Sequence, residues 1–166
     1  MVKDSFAILI GRHQEKMLPT LTADIRDDQM SLQPVAGVNH PAWILGHLLA
    51  VETKIATGVL GRPLKTALDG NWWEIYGIGS VPKPDRAMYK PKDFYLAALA
   101  ETCGQITAFI ATKSDSDMDL PNPDAQLSQL FPTIGMAVCV AITHRAYHTG
   151  QIATWRKLAG LPHAGM

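Results

Sequence analysis

His144 and His148 stand four residues apart in the run HRAYHTGQ, and His47 lies in the otherwise apolar run HPAWILGHLLAVE. An α-helix turns once in about 3.6 residues and rises about 5.4 Å per turn, so a spacing of four stacks both imidazoles on one face. Two such rings can share one divalent cation, and a tetrahedral ion needs at least one more protein ligand. A lone histidine among apolar residues also reads as a core imidazole satisfied by a hydrogen bond. Helical bundles, however, build internal metal sites from side chains on facing helices, and the three histidines together favour a metal centre. Three neutral imidazoles leave a coordination position open, the pattern of a catalytic rather than a closed structural site. The expected ion is Zn²⁺ or Ni²⁺, with Fe²⁺ the other option. Such a centre either lowers the pKa of water for hydrolysis or stabilises a substrate thiolate.

The neighbours of these histidines bear on that choice. In HExxH hydrolases a glutamate beside the first ligand acts as general base, whereas Arg145 holds that place here. Glu52 follows His47 by five residues, about 140° around a helix, and is expected to point away from the ion. Glu101, Asp93 or the long central loop remain as sources of a base. A thiolate that ligates the metal needs none, which tilts the reading toward thiol transfer. Gln151 shares the histidine face, where its amide either orients a ligand imidazole or makes a helix-packing hydrogen bond. Tyr147 either donates to substrate or packs as a partly buried tyrosine. These two are the candidate catalytic residues. Arg145 is expected in solvent on the outer face, and His13, His40 and His163 as surface or capping residues.

Positioning such a site requires helices, and no segment shows strand-type alternation. The first helix is expected over Ser5–Met30, with Phe6, Leu9, Ile10, Met17, Leu18, Leu21 and Ile25 as its stripe and Pro19 as a kink or division. A second runs from Pro41, capped by Asn39 or His40, to about Leu60, where Gly61 and Pro63 stop it. The segment from Gly61 to Pro91 is rich in Gly, Pro and aromatic residues and reads as a long structured loop. Trp72, Trp73 and Tyr76 are its anchors on the bundle, and the two tryptophans either roof a pocket or pin the loop. A third helix spans Lys92 to Lys113, and a fourth spans Thr133 to Ala159, ending at Gly160 and Pro162. The fold class is therefore all-α: a four-helix bundle with crossover topology and a long loop between helices 2 and 3.

The chain has 166 residues and 47% hydrophobic content, enough for a single domain over 1–166. Fifteen basic and fifteen acidic residues give no net field to draw phosphate backbones or anionic lipid, so nucleic acid is not an expected partner. The apolar run at Phe6–Ile10 is interrupted by Gly11 and Arg12, unlike a signal peptide, and no membrane span is expected; the location is expected to be cytoplasmic. Cys103 and Cys139 form no CxxC pair and are expected in the core.

Trp43, Leu45, Gly46, His47 and Leu48, followed by His144, Tyr147, His148, Gly150, Gln151 and Ile152 and by the terminal WRKLAGLP, resemble the DinB superfamily of metal-binding four-helix bundles. The GH before and the GQ after, in this order, are more specific than HxxxH alone. The resemblance covers nearly the whole chain. It implies His47, His144 and His148 as metal ligands, homodimers, and a metal-dependent hydrolase or transferase of low-molecular-weight thiols acting on a small molecule. A non-catalytic metal- or ligand-binding stress protein is the alternative.

Overall fold

The computed structural model describes Ser5, residues 15–62, Lys65, Leu68 and residues 70–164. His13 and the apolar positions Phe6, Leu9 and Ile10 lie outside the described residues. Six α-helices and no β-strand occur among the described residues: α1 (Glu15–Thr22), α2 (Pro41–Lys54), α3 (Trp72–Tyr76), α4 (Lys92–Ala111), α5 (Asp115–Met118) and α6 (Ile134–Leu158).

Local signals explain most of the boundaries. Pro41 opens α2 at a position whose N–H would have no intrahelical partner, and the His40 ring accepts the Trp43 N–H as its cap. His40 is thus a capping residue, but a fully buried one rather than a surface one. Thr133 caps α6 by accepting the Met136 N–H. Two boundaries differ from expectation. α1 ends at Thr22 instead of Met30, because distant cations take its C-terminal carbonyls. Lys92 Nζ donates to Thr22 O at 2.7 Å and Ile25 O at 3.0 Å, and Arg156 donates to Leu21 O at 2.8 Å while pairing with Asp24. α2 keeps α-geometry only to Lys54 and continues as a π-helical segment, Ile55–Val59.

The long helices α1, α4, α2 and α6 form a four-helix bundle in which α1 and α2 each pack on both α4 and α6. Helices consecutive in the chain, α1 then α2 and α4 then α6, therefore occupy opposite corners, which is the crossover arrangement. The stretch Arg86–Ala111 is long and apolar enough to cross a membrane by composition, with a mean hydropathy of 1.3, but Tyr95, Leu99, Cys103 and Ile106 along it are core residues here. Cys139 is half-buried, outside the expected core placement.

The core has two apolar clusters. One gathers Leu18, Ile44, Leu48, Tyr76, Tyr95, Leu99 and Trp155; the other gathers Ile55, Ile106, Ile110, Val138 and Ile142. Along α2, α4 and α6 the residues between them are polar: Glu52, Thr102, His144, Arg145, His148 and Thr149. The candidate site belongs to this polar layer.

Candidate metal centre

α2 contributes His47 and α6 contributes His144 and His148. The Nε2 atoms of His47 and His148 each lie 3.1 Å from His144 Nε2, and one ligand atom from each residue falls within 4.8 Å of the other two. His47 and His148 are buried and His144 is partly exposed.

The outer nitrogens fix the tautomers. His47 Nδ1 donates to the backbone carbonyl of Tyr76 at 2.6 Å, and His148 Nδ1 donates to Gln151 Oε1 at 3.0 Å. Both rings thereby present a bare Nε2 lone pair to the centre. His144 Nε2–H could satisfy only one of them, and His144 Nδ1 is buried without a partner among the described residues. A divalent cation would take all three Nε2 lone pairs at once. Two nitrogens on one tetrahedral zinc at ordinary bond lengths stand about 3.3 Å apart, close to the spacing seen here. Desolvation, reinforced by the facing imidazoles, holds His144 and His148 down to about 4. Burial also lowers His47, against the opposing effect of its bond to the Tyr76 carbonyl. All three are neutral near pH 7, the state that binds metal.

Support for these rings comes from three directions. Trp43 stacks on His47 with centroids 4.7 Å apart and planes 8° from parallel. The same indole donates to Ile75 O and Ser80 Oγ, both at 3.1 Å, tying α3 to α2. Gly46 allows the Tyr76 ring to lie against α2, since a Cβ there would meet the ring at 2.1 Å; the ring is further held by a 2.6 Å bond between the Tyr76 and Tyr95 hydroxyls. Asn39 Nδ2 donates to Gln151 Oε1 at 3.1 Å, orienting the amide that orients His148. Sequence reasoning read Tyr76 only as an anchor of the long loop, which it is, and Asn39 only as a possible cap, and gave neither a part in the site. A glycine inside an apolar helix, which costs stability unless packing requires it, was the available signal for the former.

The remaining candidates fall differently. Tyr147 is 65% exposed, so the partly buried packing role does not describe it; with Asn39, Gln151 and Thr154 it lines an outer cavity of about 390 Å³. Arg145, expected in solvent, is 5% exposed: its Nε donates to Glu52 Oε1 at 2.7 Å, a second bond joins Nη2 to Glu52 Oε2, and Nη2 also reaches Leu99 O at 3.0 Å. Thr102 Oγ1 donates to the same carboxylate at 2.6 Å. Burying a guanidinium is tolerable here because its charge and donors are answered by one carboxylate and a carbonyl. Glu52 is committed to this pair. Among the described residues no carboxylate joins the histidine cluster, Glu101 and Asp93 included. Glu101 instead accepts the Lys65 N–H at 2.7 Å. His163 is exposed and away from the centre.

Residues 11–152 match the DinB superfamily. The chain belongs to that superfamily. Among solved structures, a conserved Enterococcus faecalis protein superposes with a TM-score of 0.72 at 13% identity, over 95% of this chain and 96% of the other. YfiT of Bacillus subtilis, described as a probable metal-dependent hydrolase with an unusual four-helix-bundle topology, gives 0.64 at 18% identity, over 96% and 89%. A Streptococcus pneumoniae protein gives 0.65 at 13% identity, over 94% and 91%. These likenesses concern the fold. No curated protein matches the sequence. For a DinB bundle, the GH of α2 acquires a physical reason here: the glycine admits Tyr76, and Tyr76 fixes the tautomer of the histidine that follows it.

Proposed function

We propose that this DinB protein is a metal-dependent enzyme acting on a small molecule, and that its reaction is transfer of a low-molecular-weight thiol to an electrophile. One observation carries the metal reading: His47 and His148 hold their protons outward on fixed acceptors and aim bare Nε2 atoms at the point that His144 also faces. His47, His144 and His148 would hold Zn²⁺ or Ni²⁺, or Fe²⁺. When bound, the cation supplies Lewis acidity, which lowers the pKa of a thiol or a water at its free position. Choice of the thiol is supported by the commitment of Glu52 to Arg145 and Thr102, which leaves the cluster without a carboxylate base among the described residues. In the transfer, the thiolate sulfur bonds to the electrophilic carbon, the leaving group departs with its electron pair, and the thiol proton passes to solvent. Gln151 keeps His148 in its binding tautomer, and the buried walls exclude bulk water from His47 and His148.

Hydrolysis is the second reading, favoured by the description of YfiT. Protein purified without a histidine tag should carry stoichiometric metal that His144→Ala removes. The loaded protein should then consume an electrophile such as 1-chloro-2,4-dinitrobenzene in the presence of a low-molecular-weight thiol while leaving ester and amide substrates intact. Ester or amide turnover without thiol consumption would replace transfer by hydrolysis. Absence of stoichiometric metal would overturn the enzyme reading as a whole.

A further inference from the structure

Two of the clustered histidines are oriented by acceptors of different kinds. His47 Nδ1 meets the backbone carbonyl of Tyr76, and a carbonyl can only accept, so the ring proton sits on Nδ1. His148 Nδ1 instead meets the side-chain amide of Gln151 at 3.0 Å. A carboxamide has two faces. With Oε1 inward it accepts from Nδ1–H and leaves Nε2 of the ring bare. With its NH₂ inward it donates to a bare Nδ1, and the ring proton moves to Nε2, where it blocks a cation. Both forms of the ring are neutral, so the choice between them lies with whatever orients the amide.

Among the described residues, one further side chain bonds that amide. Asn39 Nδ2 donates to Gln151 Oε1 at 3.1 Å, across 112 positions of sequence. Oε1 therefore takes two donors, one from His148 and one from Asn39. The chain on either side keeps Asn39 in place: Gln33 Nε2 donates to Val38 O at 2.9 Å, and the His40 ring is fully buried, bonded to the Trp43 N–H at 3.2 Å and to Lys83 O at 2.9 Å. Because His40 supplies the cap of α2, the Asn39 side chain is left over for α6. Asn39 and Gln151 also share the wall of the outer cavity of about 390 Å³ with Tyr147, Gly150 and Thr154, and this open space gives the amide room to turn once nothing holds it.

We infer that Asn39 is a positioning residue of the metal centre: by donating to Gln151 Oε1 it fixes which face of that amide meets His148, and hence which ring nitrogen of His148 is bare. This role rests on the metal reading of the three histidines, although the tautomer that Asn39 sets exists without a metal.

Two variants of equal charge separate the role from a general electrostatic effect. Asn39→Asp puts an acceptor where the donor stood, which turns the Gln151 NH₂ outward to it and inward to His148. Gln151→Glu leaves an oxygen toward each partner, a group with no wrong face. Each adds one negative charge near the centre, which by attraction alone would strengthen cation binding. A carboxylate just before α2 also suits the positive end of that helix. In the full chain, metal-stripped and near pH 8, imidazole ¹⁵N NMR should show His148, assigned by the loss of its signals in His148→Ala, as Nδ1–H in the parent and in Gln151→Glu, and as Nε2–H in Asn39→Asp. Competition with a chelator should show Zn²⁺ affinity about 10- to 100-fold weaker in Asn39→Asp and parental or tighter in Gln151→Glu. Asn39→Ala, which removes the donor and supplies no acceptor, should fall between the parent and Asn39→Asp. A parental His148 tautomer and parental Zn²⁺ affinity in Asn39→Asp would overturn the role; should that variant fail to fold, parental values in Asn39→Ala would do so. Absence of stoichiometric metal from the parent would remove the metal reading instead, and the tautomer measurement would still decide what Asn39 does to His148.

Discussion

At the scale of single residues, the polar layer contains two solutions to one problem. Burying polar groups is costly, and Arg145 with Glu52 meets the cost by pairing, whereas the three histidines meet it by staying neutral. Breaking the first solution should hurt stability without touching metal: Glu52→Ala leaves a guanidinium buried alone, and urea unfolding should show a loss of about 3–5 kcal/mol, with the double replacement Glu52→Leu/Arg145→Met losing less. Breaking the second should do the opposite. Gln151→Ala removes the acceptor that sets the His148 tautomer, and competition with a chromophoric chelator should show metal affinity reduced about 10- to 100-fold in a protein of near-parental stability. The histidines were legible because helical spacing alone places His144 above His148. Arg145 was not, because its partner is 93 positions away in sequence and no local pattern announces it.

Helices that carry local caps were readable almost to the residue: Pro41 and Thr133 mark their own positions. The end of α1 was not, since its apolar stripe continues to Ile25 while Lys92 and Arg156, from α4 and α6, take the carbonyls that stop the helix. The π-helical turn after Lys54 has no periodicity that distinguishes it from the α-helix before it. The short α3 was hidden for a related reason, because five residues in a loop rich in glycine and proline become helical only where Gly46 lets Tyr76 dock. Gly46→Ala should therefore act on two elements at once. Thermal unfolding should show a loss of about 1–3 kcal/mol from the clash with the Tyr76 ring, and chelator competition should show weaker metal binding because the Tyr76 carbonyl shifts from His47. Unchanged metal affinity in a destabilised Gly46→Ala protein would mean that α3 does not position His47.

Across the whole molecule, three buried imidazoles and the half-buried His144 make the metal-stripped bundle sensitive to acid. His40, His47, His144 and His148 all fall below the ordinary value of 6.5, the last two to about 4, chiefly through desolvation. The unfolded chain then binds more protons than the folded one over the interval from about 6.5 to about 4, so stability is complete above it and declines as pH falls through it. The urea midpoint of metal-stripped protein should be flat between pH 7.5 and 8.5 and should drop steadily from pH 6.5 to 4.5; a flat profile down to pH 4.5 would contradict the burial of these rings. Asp24, depressed by Arg156, adds to acid sensitivity only below its ordinary 3.8, outside that interval. Tyr76 also joins two events that seem separate. Its carbonyl grips His47 while its ring rests on Gly46, so seating of the 72–80 clasp and occupation of the histidine centre are reciprocal: whatever favours one must favour the other by the same free energy. Ile78 and Val81, exposed beside that clasp, should be cut more slowly by a protease with broad specificity when metal is present, making the outer edge of the bundle a gauge of what is bound within it.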